Sequence, residues 1–250
     1  MNYIKLLYEY IDTLLNFIYP RNIYCISCNS PINRDEEYSI CSGCREKLKL
    51  IYGKTCSKCG KPLDDLYILD ICHDCMTSSH FFNRAISCLE YDELAKKIIY
   101  DLKYHKKRYI SYHIAEIMYD RLKIEDMDGF DMIIPVPLHG LKERERGFNQ
   151  TYLIGKYLSR MTEKEVNRKI LVRTKNTITQ NKLSREERRS NLERAFQVIN
   201  KENIDKKGIL LVDDIFTTGS TVNECSRVLL ENGAKTVYVA TFATGRNDYL

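Results

Sequence analysis

Two adjacent carboxylates, Asp213 and Asp214, follow a short apolar run from Ile209 to Val212. A turn rich in hydroxyls comes next: Thr217, Thr218, Gly219, Ser220 and Thr221. Beyond it Val222, Cys225, Val228 and Leu229 repeat at helical spacing, Asn232-Gly233 supplies a stop, and Lys235 to Ala243 reads as another strand. A strand–helix–strand unit requires parallel neighbouring strands and a right-handed crossover. The N-terminus of such a helix carries unpaired N–H groups and the positive end of the dipole, so it attracts phosphate. Gly219 lets the backbone approach that anion, and the hydroxyls can donate to its oxygens. The acidic pair suits hydrogen bonds from vicinal hydroxyls, or a Mg²⁺ held on them. Phosphate plus adjacent hydroxyls is the pattern of a ribose 5-phosphate. The bland alternative is a strand end with an Asp cap and an ordinary turn. No Lys follows the glycine and no second glycine precedes it, which excludes a Walker A loop and a dinucleotide fingerprint.

A second chemistry lies in the cysteines. Of ten, eight form four Cys-x-x-Cys pairs: Cys25/Cys28, Cys41/Cys44, Cys56/Cys59 and Cys72/Cys75, separated by 12, 11 and 12 residues. Each pair can form a knuckle, and two knuckles complete a tetrahedral Cys₄ site for Zn²⁺. The even spacing predicts two consecutive zinc ribbons, with interleaved pairing as the alternative. Iron–sulfur ligation is left open by the sequence, whereas a redox motif would occur once within a strand–helix–strand unit. So short a polar segment lacks the apolar residues for a core, so metal must supply its folding energy. Cys88 and Cys225 read as buried small residues.

The remaining elements must bring charge to the acidic pair. Ala85 to Leu89 predicts a strand, and Leu94, Ile98, Ile99 and Leu102 a helix that ends in the basic cluster Lys103 to Arg108. Ile110 to Leu122 continues as helix. Met132 to Leu138 reads as a buried strand that its prolines terminate. A basic loop, His139 to Gln150, follows it. Ligands of α/β sheets bind beyond the carboxyl ends of strands, so Arg144 and Arg146 are candidates to grip a pyrophosphate bidentately. Residues 170–197 form a charged excursion in which Gln180, Arg188 and Asn191 are candidates to close over a bound anion.

The 39 Lys and Arg against 34 Asp and Glu leave a formal charge of +5, suited to a polyanionic ligand without choosing between a sugar phosphate and nucleic acid. Residues 1–19 pattern as an amphipathic helix whose Lys5, Glu9 and Asp12 argue against a membrane span. The expected compartment is the cytoplasm, since no secretory leader pattern is evident. The expected division is a helix over 1–22, a zinc module over 23–78 and an α/β domain over 79–250.

Together these features resemble the ComF family of competence proteins. The resemblance rests on the four cysteine pairs, Pro135-Val-Pro137, Arg146-Gly-Phe-Asn-Gln150, Gln180 with Leu183, Arg188 and Asn191, Phe196, and the acidic–Thr-Thr-Gly loop. That loop is similar to the phosphoribosyl pyrophosphate (PRPP) loop of type I phosphoribosyltransferases. The resemblance implies a parallel sheet flanked by helices in the phosphoribosyltransferase manner, preceded by a double zinc ribbon. It implies that Asp213 and Asp214 hold the ribose hydroxyls, at the catalytic position, and that Thr217 to Thr221 hold the 5-phosphate of Mg²⁺-PRPP. Arg144, Arg146, Gln180 and Arg188 would complete the PRPP site. The implied role is handling of incoming single-stranded DNA in transformation, beside a helicase-type partner. The alternative is a working phosphoribosyltransferase acting on an unidentified base, and the resemblance does not decide whether transfer occurs.

Overall fold

The apolar runs around Ile209 and Val239 are flanked on both sides by other apolar strands, which is why they can be buried continuously. The computed structural model describes residues 22–33, 35–175 and 194–245. It divides into two compact units, the first ending at Leu48 and the second beginning at Lys49. The division falls inside the expected 23–78 module, between its two cysteine quartets.

In the second unit, β1 (Arg84–Glu90), β2 (Met132–Pro135), β3 (Glu165–Val166), β6 (Gly208–Phe216) and β7 (Thr236–Thr244) form an all-parallel sheet in the order β1-β7-β6-β2-β3. β6 lies at its centre. β4 (Leu171–Arg173) and β5 (Phe196–Val198) pair antiparallel and bracket the charged excursion. Gln180, Leu183, Arg188 and Asn191 lie outside the described residues, as does the expected helix over 1–19.

The first unit contains the short helix α1 (Ser42–Arg45), and the second begins with α2 (His73–Thr77). α3 (Glu93–Tyr104) starts where the Asp92 carboxylate accepts from the N–H groups of Leu94 (3.1 Å) and Ala95 (2.9 Å), and it buries Ala95, Ile98, Ile99 and Leu102. α4 (Ile110–Ile124) follows. α6 (Gln150–Thr162) is capped by Asn149, which accepts from Thr151 N at 3.0 Å. α7 (Ser220–Glu231) crosses between β6 and β7, burying Val222, Cys225, Val228 and Leu229 as the periodicity predicts.

Two expectations change. The strand expected over Ile209 to Val212 runs on to Phe216, because β7 is equally long and keeps pairing with it: Asp213 lies opposite Thr241 and Ile215 opposite Ala243. Asp213 and Asp214 are thus inside the strand. The basic loop after β2 is largely helical, as α5 (Gly140–Arg146), closed by Gly147 in the left-handed region at φ 82°.

The second quartet is built into the sheet edge. Ile51 N donates to Cys88 O (2.9 Å), Glu90 N to Lys49 O (2.9 Å) and Ala85 N to Lys58 O (2.8 Å), so backbone before and within the knuckle lies along β1. Gly60 is required there: its φ is +70°, and a Cβ would stand 2.5 Å from Ala85 O.

Candidate functional site

A cavity of about 530 Å³ opens at the carboxyl ends of β2 and β6. Asp213 and Asp214 come to it from β6 and Thr221 from α7. Lys103 and Tyr104 come from the end of α3, with Lys106 just beyond. Lys142 and Arg146 come from α5, Gln150 and Thr151 from α6, and Arg173 from β4. Five cations therefore share the cavity with three carboxylates, Glu145 being the third.

Helical spacing explains which arginine arrives. Lys142 and Arg146 are four apart on α5 and share a face, whereas Arg144 is exposed and does not line the cavity. Arg146 is held from two sides, by a hydrogen bond to the Gln150 Oε1 and by the Tyr104 ring, whose centroid lies 5.5 Å from the guanidinium carbon. Gln150 is buried, so that acceptor is fixed in place.

The two carboxylates are unlike. Burial pushes Asp213 well above the ordinary carboxylate range, and the neighbouring Asp214 charge adds to the rise. Burial acts the same way on Asp214, but the Lys103 ammonium, which forms an ion pair with it, and a hydrogen bond from Asp213 outweigh it and hold Asp214 low. Asp213 therefore keeps a proton more readily than Asp214. Lys142 is lowered, first by burial and then by the charges of Arg173 and Arg146.

The turn between β6 and α7 is shaped by Gly219. Its φ is +74°, and a Cβ would come within 2.5 Å of the Phe216 ring. Thr218 Oγ1 and Ser220 Oγ share a hydrogen bond of 2.8 Å, while Thr217 is exposed. These residues, with Thr221, sit at the start of α7, where a helix offers N–H groups to an anion.

The cysteines form two separate quartets, Cys25, Cys28, Cys41, Cys44 and Cys56, Cys59, Cys72, Cys75, and in each the four Sγ atoms lie within 4.8 Å of one another. Cys28 to Cys41 and Cys59 to Cys72 are 3.6 Å apart. Tetrahedral Zn²⁺ with Zn–S of about 2.3 Å places sulfurs about 3.8 Å apart, so both quartets fit the metal. The grouping is consecutive, as the spacing predicts.

A double zinc ribbon family model matches residues 14–76, and a phosphoribosyl transferase domain model matches residues 154–250. Competence protein F of Haemophilus influenzae is 30% identical over 231 residues, covering 90% of this chain and 97% of that protein. The chain belongs to the ComF family of competence proteins. DNA utilization protein YhgH of Escherichia coli K12 is 30% identical over 220 residues (86% of this chain, 94% of that one). Competence protein ComFC of Bacillus subtilis is 27% identical over 245 residues (90% and 95%). Among solved structures, the glutamine PRPP amidotransferase of Bacillus subtilis aligns with a TM-score of 0.37 at 16% identity, over 53% of this chain and 26% of that one.

The ComF motif Arg146-Gly-Phe-Asn-Gln150 now has a physical account. Arg146 faces the cavity, and Gly147 ends α5. Phe148 is buried beneath the Arg108 guanidinium, 4.8 Å from its ring centroid. Asn149 caps α6 and donates to Val136 O at 3.1 Å, and Thr151 Oγ1 donates to the same carbonyl at 2.7 Å. Those two bonds tie the motif to the end of β2, while Gln150 aims the arginine. Lys142, Thr151 and Arg173 had no individual signal in the sequence. Lys142 was findable as the residue one helical turn before Arg146. Arg173 was not, because only the fold brings β4 against His139, just beyond the end of β2. Among the described residues no helix is long and apolar enough to cross a membrane.

Proposed function

We propose that the cavity binds PRPP with Mg²⁺, within a cytoplasmic protein that handles incoming single-stranded DNA during transformation. The observation that carries the ligand is the meeting, in one cavity, of a paired carboxylate, the start of α7 and the cations Lys103, Lys106, Lys142, Arg146 and Arg173. On this reading the carboxylates accept hydrogen bonds from the ribose hydroxyls or hold the Mg²⁺ bound to them, and Thr217 to Thr221 hold the 5-phosphate. The cations take the pyrophosphate, whose charge they match. Arg146 is the primary pyrophosphate ligand; Arg144 contributes charge from outside the cavity, and Gln180 and Arg188 belong to the segment that would close over it. The names of the relatives, competence and DNA utilization proteins, support the DNA role. A helicase-type partner would deliver the strand.

Titration calorimetry of the zinc-loaded protein with Mg²⁺-PRPP, beside Asp213→Asn/Asp214→Asn, tests the ligand. Binding in the wild type and its loss in the variant are expected, and unchanged affinity in the variant would overturn the assignment. Single-stranded DNA binding is expected to weaken linearly in log K against log salt, and salt-independent binding would rule out the electrostatic surface.

A second reading, a working phosphoribosyltransferase, is favoured by one observation. Tyr104 brings an aromatic ring into the cavity, where a planar acceptor can stack once Arg146, which lies over that ring, turns to the pyrophosphate. Catalysis would then be positioning and charge stabilisation of pyrophosphate departure. Release of pyrophosphate in the presence of a panel of bases tests it.

A further inference from the structure

Lys103 stands on the last turn of α3 with its side chain only 18% exposed, and its ammonium pairs with the carboxylate of Asp214, 7% exposed. Of its neighbours in the basic cluster, Lys106 lines the same cavity, while His105 and Lys107 bond to the two carboxylate oxygens of Asp101, at 2.7 and 2.9 Å. Arg108 lies over Phe148. Lys103 is thus the member of the cluster whose partner belongs to the acidic pair.

This arrangement has a cost for a metal arriving alone. A divalent cation coming to Asp214 must displace an ammonium already seated there, in a site that holds further cations, Lys142 and Arg146, in the same cavity. A ligand carrying a pyrophosphate changes the balance, because it offers the ammonium new oxygens. Lysine suits such an exchange: it is a point charge on a flexible four-carbon stem, without the fixed fork of arginine.

We propose that Lys103 is a positioning residue that changes partners. It neutralises Asp214 until a pyrophosphate-bearing ligand enters, then turns to the pyrophosphate oxygens and releases Asp214 to the ribose hydroxyls and their metal. The divalent cation therefore enters with the ligand and not before it. This rests on the ribose-phosphate reading of the cavity.

The probe is Mn²⁺, titrated into the full-length zinc-loaded protein and followed by loss of the free-ion paramagnetic resonance signal, with and without PRPP. Mn²⁺ stands at the weak end of the divalent series and does not displace zinc from thiolates. In the wild type, Mn²⁺ alone binds weakly and PRPP tightens it. Lys103→Met is expected to bind Mn²⁺ alone about tenfold more tightly and Mg²⁺-PRPP about tenfold more weakly, since a buried charge has lost its partner in one case and its ligand in the other. Adding Asp214→Asn to Lys103→Met removes the Mn²⁺ gain. Lys103→Gln repeats the measurement with a polar side chain, and zinc content and circular dichroism verify folding. Loss of PRPP binding without the Mn²⁺ gain would reduce Lys103 to an ordinary phosphate ligand and overturn the exchange. A wild type that takes no Mg²⁺-PRPP overturns the ribose-phosphate reading and the second half of the exchange with it. The Mn²⁺ titrations of the variants then still decide whether Lys103 guards Asp214.

Discussion

The two cysteine quartets repeat the same backbone pattern. Cys25 N bonds to Ser30 O and Asn29 N to Cys25 O, and Cys56 N bonds to Lys61 O and Gly60 N to Cys56 O, at 2.8–2.9 Å throughout. Tyr24 bridges Pro31 in one, and Thr55 bridges Pro62 in the other. Their surroundings differ. Cys28 is exposed and Cys41 and Cys44 are half-buried, whereas all four cysteines of the second quartet are buried. The second set joins one apolar cluster with Phe82, Ala85, Val222, Cys225 and Phe216. Identical local chemistry thus serves two purposes. The first quartet is placed to hold a small unit together through a metal. The second also forms part of the core beneath the β6–α7 turn. Even the turn residue records the difference: Asn29 (φ 64°) suffices in one knuckle, while Gly60 is required where the other meets β1.

The largest effect is expected from deleting metal ligands in pairs. Cys59→Ser/Cys72→Ser should remove one zinc per chain and, with it, the cooperative unfolding of the sheet unit, a loss on the scale of the roughly 5–15 kcal/mol that holds a domain folded. Zinc analysis and near-ultraviolet circular dichroism would show both; a native thermal transition would mean the second quartet is peripheral. Phe82→Ala comes next. Phe82 is fully buried and meets Phe216 edge-on at 6.1 Å, so about 3–5 kcal/mol of stability is expected to go, together with part of the PRPP affinity. Urea unfolding and calorimetry would separate the two effects. Gly60→Ala should cost about 1–3 kcal/mol through backbone strain, whereas Asn29→Ala should cost the sheet unit nothing that urea unfolding detects. The smallest effect on the sheet unit is expected from Cys28→Ser. It should release the first zinc and leave Mg²⁺-PRPP affinity at the wild-type value. With a chelator, zinc should leave in two phases, the exposed quartet first, and a single phase would sink the distinction.

The quartets, the parallel sheet and the β6–α7–β7 unit were legible because each is written in local spacing. Four Cys-x-x-Cys pairs specify their own geometry, and apolar runs of four residues flanked by turn signals specify buried strands. What surrounds a knuckle is not local, so nothing between Cys56 and Cys75 announced that this copy lies along β1. The cavity shows the same limit. Lys103 to Arg108 read as one basic cluster, yet its members turn to Asp214, Asp101 and Phe148, because α3 ends within the cluster and the chain then changes direction. Arg144 and Arg146 were equivalent by composition, and a helical turn where a loop was expected separated them. Asp213 and Asp214 were read beyond the strand because charge argues against burial. The ion pair with Lys103, a contact across 111 positions of chain, is what makes a buried Asp214 tolerable.

β1 is the outermost strand on its side of the sheet, and its outward N–H and C=O groups are taken by Lys49, Ile51 and Lys58. An outer strand left bare is a template for strands of other molecules, and it leads to aggregation. The backbone that shields it leads into and through a cysteine quartet whose four sulfurs are grouped to hold a metal. With zinc in the second quartet, solubility would depend on the metal as well: a chain made without it would present an open hydrogen-bonding edge to its neighbours, and the yield of dispersed protein should follow the zinc supplied during synthesis.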